Sequence, residues 1–236
     1  HRIQAYPDVA ALPTVPDLAV ICTPAPTVAG LVGACGAAGI PGVLVLSAGF
    51  RETGPAGAEL EREVAAQAAR FPGTRILGPN CLGVIAPRAR LNASFAGRMP
   101  QEGQIAFVSQ SGALCTSVLD WANERGIGFS HFISVGNMLD VDVGDLIDYL
   151  GRDPQTRSII LYVESITEPR TFMSAARAFT RSYPIVAYKA GRFAASAVAA
   201  ASHTGALAGE DDVYDAAFQR AGIERVADME DIPPDG

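Results

Sequence analysis

The chain has 236 residues, 49% of them hydrophobic and 18% charged, so it can bury a sizeable core in one large or two modest domains. Its 18 basic and 25 acidic side chains give a net charge of −7 without any run of lysine or arginine. We therefore expect neither nucleic acid nor a membrane as a partner, although helix N-termini and backbone amides would still allow an anionic small ligand.

The first part of the chain alternates short apolar segments with helical segments. The predicted strands are residues 17–23, 42–47 and 75–77, and the predicted helices are residues 27–38 and 56–70. Alternation with short connections predicts a parallel sheet with right-handed crossovers. We interpret residues 1–90 as a Rossmann-like domain whose N-terminal part is missing, because no GxGxxG loop precedes residue 17.

A second alternating series follows residues 87–103, which have neither helical nor strand periodicity and where we place a domain boundary. Its predicted strands are residues 104–108, 129–135, 158–164, 185–189 and 223–226. Its predicted helices are residues 112–125, 143–150, 169–181 and 211–221. We expect residues 104–236 to form a flavodoxin-like α/β domain around a parallel sheet.

The sequence contains four cysteines with no CxxC pair and no metal-ligand spacing, namely Cys22, Cys35, Cys81 and Cys115. Reduced thiols, a cytoplasmic location and the lack of a metal site are the simplest interpretation. Cys81 could be reactive, but a buried side chain that packs as a small hydrophobe is the better expectation.

Small and turn-forming residues follow each predicted strand of the first domain. In parallel sheets the ligand binds beyond the carboxyl ends of the strands. We therefore predict that one nucleotide-like ligand is bordered by these strand ends, which are Thr23-Pro24-Ala25-Pro26, Ser47-Ala48-Gly49 and Gly78-Pro79-Asn80-Cys81.

The segment Ser109-Gln110-Ser111-Gly112 ends a predicted strand and opens a helix. Ser111 can cap the helix, Gly112 lets the backbone approach a ligand, and the first free amides favour an anion. The alternative is a tight turn with a good N-cap. Glu164 ends another strand at the same predicted edge, where it could hold a histidine ring or simply be a solvated acid.

His203 lies in a run of small residues, AAASHTGALAGE, just before a predicted helix. Small neighbours let a bulky anion approach, and imidazole is a competent nucleophile near neutral pH. We interpret it as a phosphate-accepting histidine, with ordinary capping and loop chemistry as the alternative. Lys189 and Arg192 flank this loop and could neutralise a phosphate or form a solvated pair.

Three other features have structural interpretations. His131 lies within a strand pattern and is expected to be a structural histidine. Trp121 is expected to pack a helix. The aspartates of NMLDVDVGD lack the full spacing of a calcium loop, so we expect helix capping from them; they are Asp140, Asp142 and Asp145.

Four segments of the sequence resemble the NDP-forming acyl-CoA synthetase family, which includes the α subunit of succinyl-CoA synthetase and the ADP-forming acetyl-CoA synthetases. They are GPNCLGVIAP, GQIAFVSQSGAL, ILYVES and SHTGALAG, they follow the family's order and spacing, and the likeness covers nearly the whole chain. The resemblance implies a CoA-binding Rossmann domain followed by a ligase domain with a phosphorylated histidine. It also implies conversion of acyl-CoA, NDP and phosphate to acid, CoA and NTP through an acyl phosphate and a phosphohistidine.

Transferred position by position, the resemblance assigns roles to individual residues. His203 matches the phosphorylated histidine and Glu164 the acid that holds its ring. The phosphate site matches Ser109, Ser111 and Gly112. The CoA or acyl-CoA site matches Thr23, Pro24, Ser47, Ala48, Gly49, Asn80 and Cys81.

The resemblance also implies partners. Mg-ATP or ADP would bind an ATP-grasp domain or subunit that this sequence lacks, and we expect a homo-oligomer. Some long family members carry a fused GNAT lysine acetyltransferase, so an acyl-CoA-sensing region of such a protein is an alternative function. A nicotinamide-binding Rossmann protein is a second alternative, disfavoured because GxGxxG is missing.

Overall fold

The structure is a computed structural model and describes residues 4–190 and 211–227, so His203 and Arg192 lie outside the described residues. Its α-helices are α1 Ala25–Ala37, α2 Pro55–Ala68, α3 Gly112–Arg125, α4 Val143–Arg152, α5 Pro169–Phe179 and α6 Asp211–Ala221. Its strands are β1 Leu18–Ile21, β2 Gly42–Val45, β3 Arg75–Leu77, β4 Gly83–Ala86, β5 Leu91–Ser94, β6 Glu102–Ser109, β7 Phe129–Ser134, β8 Ser158–Val163, β9 Ile185–Lys189 and β10 Glu224–Val226.

The first sheet is parallel, with the order β1-β2-β3 among the described strands. Helices α1 and α2 are the crossovers between them, and each has a proline in its first turn, where the missing amide costs no hydrogen bond. Their apolar sides pack on the sheet in a core that contains Val28, Val43 and Phe50. This arrangement confirms the predicted parallel α/β fold of the first part of the chain.

The second sheet has the order β10-β9-β8-β6-β7-β4-β5 among the described strands. The five strands from β6 to β10 are parallel, and in chain order they read 5-4-3-1-2, which is the flavodoxin-like order. The predicted fold class of this part is therefore confirmed. Its strand order reverses between β6 and β8, so the crevice at their carboxyl ends is the place where such folds bind ligands.

The hairpin β4–β5 was not predicted. No strand was expected in residues 87–103, yet β5 lies there and pairs antiparallel with β4, which in turn pairs with β7 of the second sheet. The reason is that β5 is an edge strand with exposed or half-exposed side chains, so it needs no alternating apolar pattern.

A segment between β7 and α4, residues 137–141, lies along β3 and the two residues that follow it in the first sheet. Its amides at Asn137, Leu139 and Val141 donate to the carbonyls of Pro79, Gly78 and Ile76 at 2.8, 3.0 and 3.0 Å, in that order. Gly136 begins this approach with φ 56°, and a Cβ there would lie 2.2 Å from the Pro79 carbonyl oxygen. The two sheets are thus joined by backbone hydrogen bonds as well as by the chain.

Asp142 and Asp145 have the helix-capping role expected of them, whereas the same expectation is wrong for Asp140, which binds the first sheet instead. Asp142 is the N-cap of α4: its carboxylate accepts from the Asp145 amide at 2.9 Å, and Asp145 accepts in return from the Asp142 amide at 3.4 Å. Asp140 accepts from the Ile76 amide at 2.7 Å and, like Asp145, forms an ion pair with Arg75 at 2.9 Å.

The structure agrees with the expectation for His131 but not with that for Trp121. His131 is half-buried beside Asp153, with 3.5 Å between Nδ1 and Oδ2, and burial lowers its pKa although Asp153 opposes this; the structural interpretation is supported. Trp121 is 39% exposed and lies under the guanidinium of Arg125 rather than in the core, so the expectation of helix packing is wrong.

None of the helices in the described ranges is long and apolar enough to cross a membrane.

Candidate functional site

The three strand ends of the first sheet meet at one edge. The Ser47 hydroxyl donates to the Thr23 carbonyl at 2.5 Å, and the Asn80 amide donates to the Ser47 carbonyl at 2.9 Å. Ser47 and Cys81 are buried, whereas Thr23, Pro24 and Ala48 are exposed. The structure therefore brings the residues of the predicted CoA site together, and the exposed three are the ones that a ligand could reach directly.

The loop after β2 is organised by an acid that the sequence analysis missed. Glu52 Oε1 accepts from the amides of Gly49 and Phe50 at 2.6 and 2.9 Å. Burial alone would raise the pKa of Glu52, but hydrogen bonds from Asn137, Phe50 and Gly49 outweigh it and lower the pKa. The carboxylate is therefore ionised at neutral pH and fixes the loop that carries Ala48 and Gly49.

Asn137 joins this loop to the second unit. Its Nδ2 donates to Glu52 Oε2 at 2.8 Å and to Glu61 Oε2 at 2.7 Å, while its Oδ1 accepts from Asn80 Nδ2 at 3.2 Å. Arg51 pairs with Glu61 at 3.3 Å and also donates to the Asn137 carbonyl. The signal that could have found this cluster is a set of polar residues, in GFRETG and VGN, next to strand ends.

Residues 80–82 connect the edge of the first sheet to the start of α3. Cys81 Sγ donates to the Val45 carbonyl at 3.3 Å, and the Leu82 amide donates to Ser134 Oγ at 3.0 Å. Leu82 also faces Gly112, because a Cβ on that glycine would lie 3.7 Å from the Leu82 nitrogen. The predicted CoA edge and the predicted phosphate site are therefore neighbours.

The start of α3 has the features of an anion site. Ser111 caps the helix by accepting from the Leu114 amide at 3.3 Å. Within the described part of the chain, no hydrogen bond engages the amides of Gly112 and Ala113, which are the first two of the helix. Two such amides with the helix dipole behind them favour a bound anion.

Ser109 has a different place from the other two residues of the predicted phosphate site. Its side chain is fully buried, and its hydroxyl bonds the Ser111 amide and carbonyl, both at 3.0 Å. This hydroxyl therefore shapes the turn. Gly112 is half-buried and Ala113 exposed, so their amides are the groups available to a ligand.

Glu164 follows β8 at the reversal of strand order, beside the turn that precedes α3. The link is Gln110: its backbone amide donates to the Tyr162 carbonyl at 3.3 Å, and its side-chain Oε1 accepts from the amides of Glu164 and Ser165. This role of Gln110 was not predicted, since a glutamine between two serines forms no recognisable pattern. The structure thus brings Glu164 and the Ser111-Gly112 turn to one crevice.

The charge of Glu164 acts on its neighbours at the ends of β8 and β9. Burial, with Glu164 and Tyr188 adding to it, raises the pKa of Tyr162 to about 12. Burial lowers the pKa of Lys189, an effect that the carboxylates of Asp211 and Glu164 oppose. Lys189 is only 5% exposed and its Nζ lies 4.5 Å from the Tyr214 ring centre, so the alternative of a solvated residue is wrong for it.

The thiol of Cys81 is unsuited to nucleophilic chemistry. Burial raises its pKa to about 12, and burial does the same to Cys115. The expectation of a buried small hydrophobe at Cys81 is therefore supported. What the described site can do is bind an anion at the start of α3 next to an acidic strand end, with the edge of the first sheet close by.

Two family models match the chain. The one described as a succinyl-CoA ligase like flavodoxin domain matches residues 102–233, and the one described as a CoA binding domain matches residues 1–87.

Several characterised proteins are similar to the chain. Acetate–CoA ligase [ADP-forming] I of Archaeoglobus fulgidus is 42% identical over 96% of this chain and 33% of its own length. Acetate–CoA ligase [ADP-forming] II subunit alpha of Pyrococcus furiosus is 42% identical over 94% of this chain and 48% of its own. The chain thus spans between a third and a half of these relatives.

A solved structure is also similar over most of the chain. The dinucleotide-forming acetyl-coenzyme A synthetase 1 of Ca. Korarchaeum cryptofilum, in complex with phosphate and ADP, superposes with a TM-score of 0.92 at 40% identity. The match covers 97% of this chain and 49% of that one.

Proposed function

Because the chain belongs to the NDP-forming acyl-CoA synthetase family, in which its second part is the succinyl-CoA-ligase-like flavodoxin domain, we propose that it forms the CoA-binding and phosphoryl-transfer part of an ADP-forming acyl-CoA ligase. We assign residues 1–90 to the CoA-binding domain and residues 104–236 to the ligase domain, with the hairpin β4–β5 between their cores completing the sheet of the second domain. The matches at residues 1–87 and 102–233 support this division.

The observation that carries the proposal is the crevice between β6 and β8. There the amides of Gly112 and Ala113, which no residue in the described ranges engages, begin α3 beside Glu164, and residues 80–82 lie between this helix start and the edge of the first sheet. An anion at the helix start and a ligand at that edge would therefore lie next to each other. The phosphate and ADP bound by the K. cryptofilum relative support the choice of phosphate as the anion.

We assign the steps as follows. Phosphate attacks the thioester carbonyl of acyl-CoA, and CoA leaves as the thiol, which gives an acyl phosphate. The imidazole of His203 then takes the phosphoryl group and releases the carboxylic acid. NDP takes the group from phosphohistidine, which restores the neutral ring and gives NTP.

Each residue of the proposed site has its own role in these steps. Glu164 would hold one ring nitrogen of His203 so that the other nitrogen attacks, and the amides of Gly112 and Ala113 would stabilise the charge on the phosphoryl oxygens. The CoA site comprises the residues predicted from the resemblance, with Thr23, Pro24 and Ala48 accessible, Ser47 and Cys81 holding the edge, and Gly49 and Asn80 between them.

The proposed partner is an ATP-grasp domain or subunit that binds Mg-ATP or ADP. The relatives are α subunits or longer proteins of which this chain spans less than half, which supports such a partner. A homo-oligomer and a cytoplasmic location stay predictions. No observation favours the acetyltransferase alternative, since the relatives reported above are named as ligases or synthetases.

The test is phosphate uptake by the full-length protein with its ATP-grasp part. After incubation with ATP and magnesium, intact-mass analysis should find one acid-labile phosphate on the wild-type protein and none on the variant His203→Asn. Glu164→Gln should slow uptake, because the ring would lose its anionic partner; a buried hydrogen bond to a charged group contributes about 1.5–3 kcal/mol, or roughly 10- to 150-fold in rate.

His131→Asn is the matched control, since the side chain of His131 contacts Asp153 and Tyr149, which take no part in the proposed chemistry, and the variant should keep full phosphate uptake. Phosphate retained in His203→Asn, or absent from the wild-type protein, would overturn the proposal. Conversion of acetyl-CoA, ADP and phosphate to ATP by the same preparation would identify acetate as the acid; inactivity with acetyl-CoA alone would direct the search to larger acyl groups.

A further inference from the structure

Gln110 is a buried side chain, 9% exposed, that none of the assignments above uses. Its Oε1 accepts from the amides of Glu164 and Ser165, the latter at 3.0 Å, and its Nε2 donates to the Ser165 carbonyl at 2.7 Å. Its second N–H points to Met138 Sδ at 3.1 Å. Both polar atoms of the side chain are therefore engaged, and each binds the backbone just after β8.

The geometry of the second sheet explains why the Gln110 side chain binds this part of the backbone. Strand β6 pairs with β8 up to Ser109 opposite Tyr162, after which the chain leaves the sheet to begin α3. Residues 164 and 165 consequently have no neighbouring strand on that side. The Gln110 amide offers one acceptor and one donor, as a peptide group does, and so takes the place of the missing strand.

We propose that Gln110 is a positioning residue, which fixes the backbone of Glu164 relative to the start of α3 and thereby sets where the Glu164 carboxylate meets the phosphorylated histidine. The inference rests on the proposed function, because it assigns Gln110 a part in histidine phosphorylation. A positioning role for Gln110 differs from a packing role because it requires both the donor to the Ser165 carbonyl and the acceptor for the Glu164 amide.

Gln110→Glu tests this requirement with almost no change of shape. The introduced carboxylate can still accept from the two amides, but it cannot donate to the Ser165 carbonyl, and it adds a negative charge beside Glu164. When protonated, the carboxyl regains an acceptor and a donor. Burial raises the pKa of such a group, so protonation falls within an accessible range.

The experiment measures phosphorylation of His203 from ATP in the full-length protein. We expect the maximal rate in Gln110→Glu to fall about 10- to 100-fold at pH 8, because a buried acceptor loses its donor. KM for ATP should stay unchanged, since ATP binds the ATP-grasp partner. The control Gln104→Glu makes the same change on an exposed residue at the opposite end of β6 and should match the wild type.

A pH series adds a readout that general loss of structure would not reproduce. The rate of the variant divided by that of the wild type should rise as pH falls from about 8 to about 5.5, as the introduced carboxyl gains its proton. Glu164 and Lys189, the charged groups at the ends of β8 and β9, are present in both proteins, so the introduced carboxyl is the only titratable group that differs between them.

The outcomes separate the inference from the proposed function. Wild-type phosphorylation with a slowed variant, unchanged KM and recovery at low pH would support Gln110 as a positioning residue. Equal rates in variant and wild type, a parallel rise in KM, or an equal loss in Gln104→Glu would overturn the inference alone. No phosphate on His203 in the wild type would overturn the proposed function, and the inference with it.

Discussion

At the scale of single residues, burial decides which polar groups can react. Cys35, Cys81 and Cys115 are buried, and burial raises the pKa of each thiol, to about 12 for Cys81 and Cys115. Cys22 is exposed at the end of β1. Since the thiolate is the reactive form, the four cysteines of the chain should fall into two classes.

Alkylation should therefore modify one cysteine quickly. At pH 8, a thiol whose pKa is about 12 is ionised in only about one molecule in 10⁴, so iodoacetamide should add a single group within minutes, at Cys22, and three more after unfolding in urea. Intact mass and peptide mapping check the count. The variant Cys22→Ser should remove the fast phase, and a fast phase that persists would contradict the argument.

At the scale of secondary structure, α4 depends on its first turn. Asp142 and Asp145 form a reciprocal capping box, and Asp145 also pairs with Arg75. Burial raises the pKa of Asp142, and the hydrogen bonds from the amides of Asp145 and Gly144 oppose this effect, so the capping bonds are what favours its ionised form.

Loss of the cap should lower stability. We expect Asp142→Ala to reduce the free energy of unfolding by about 0.5–2 kcal/mol, whereas Asp142→Asn, which can still accept from the Asp145 amide, should lose much less. Urea denaturation measures both. Asp148→Ala, which removes only an exposed pair with Arg152, is the matched control. Equal losses in the alanine and asparagine variants would show that charge, not capping, matters.

The sequence predicted the parallel elements well because buried strands and their crossover helices leave a strong hydrophobic pattern. Helix α6 and strand β9 were predicted with the bounds that the structure has. The hairpin β4–β5 left no such pattern, since β5 is largely exposed. Glu52, Asn137 and Gln110 were missed because their roles depend on hydrogen-bond partners 54 to 85 residues away in the chain, which periodicity does not reveal.

At the scale of the whole molecule, the two sheets are bound into one unit. Segment 137–141 pairs with β3, Arg75 forms ion pairs with Asp140 and Asp145, and Asn137 holds two carboxylates of the first unit. The Asn137 contacts are partly or fully buried, so losing them would leave buried acceptors without donors, whereas the Arg75 ion pairs are exposed. We therefore expect both sheets to unfold together.

Asn137→Ala tests this coupling. It removes the donor shared by Glu52 and Glu61, so we expect the free energy of unfolding to fall by about 2–4 kcal/mol, more than for the exposed Asn92→Ala. In the wild type, fluorescence of Trp121, the single tryptophan, reports the second unit, and its transition should coincide with that of far-UV circular dichroism. Separate wild-type transitions would contradict a single unit.

The hairpin β4–β5 limits how this molecule can be divided by recombination or gene splitting. Val84 and Ile85 pair with Ile133 and Phe132 of β7, although they precede residues 87–103 in the chain. A fragment that began at residue 104 would leave the hairpin behind on the other piece, and β7 would become an open, apolar edge prone to self-association. In a fusion or a split protein, the piece that carries the second sheet has to begin before Gly83.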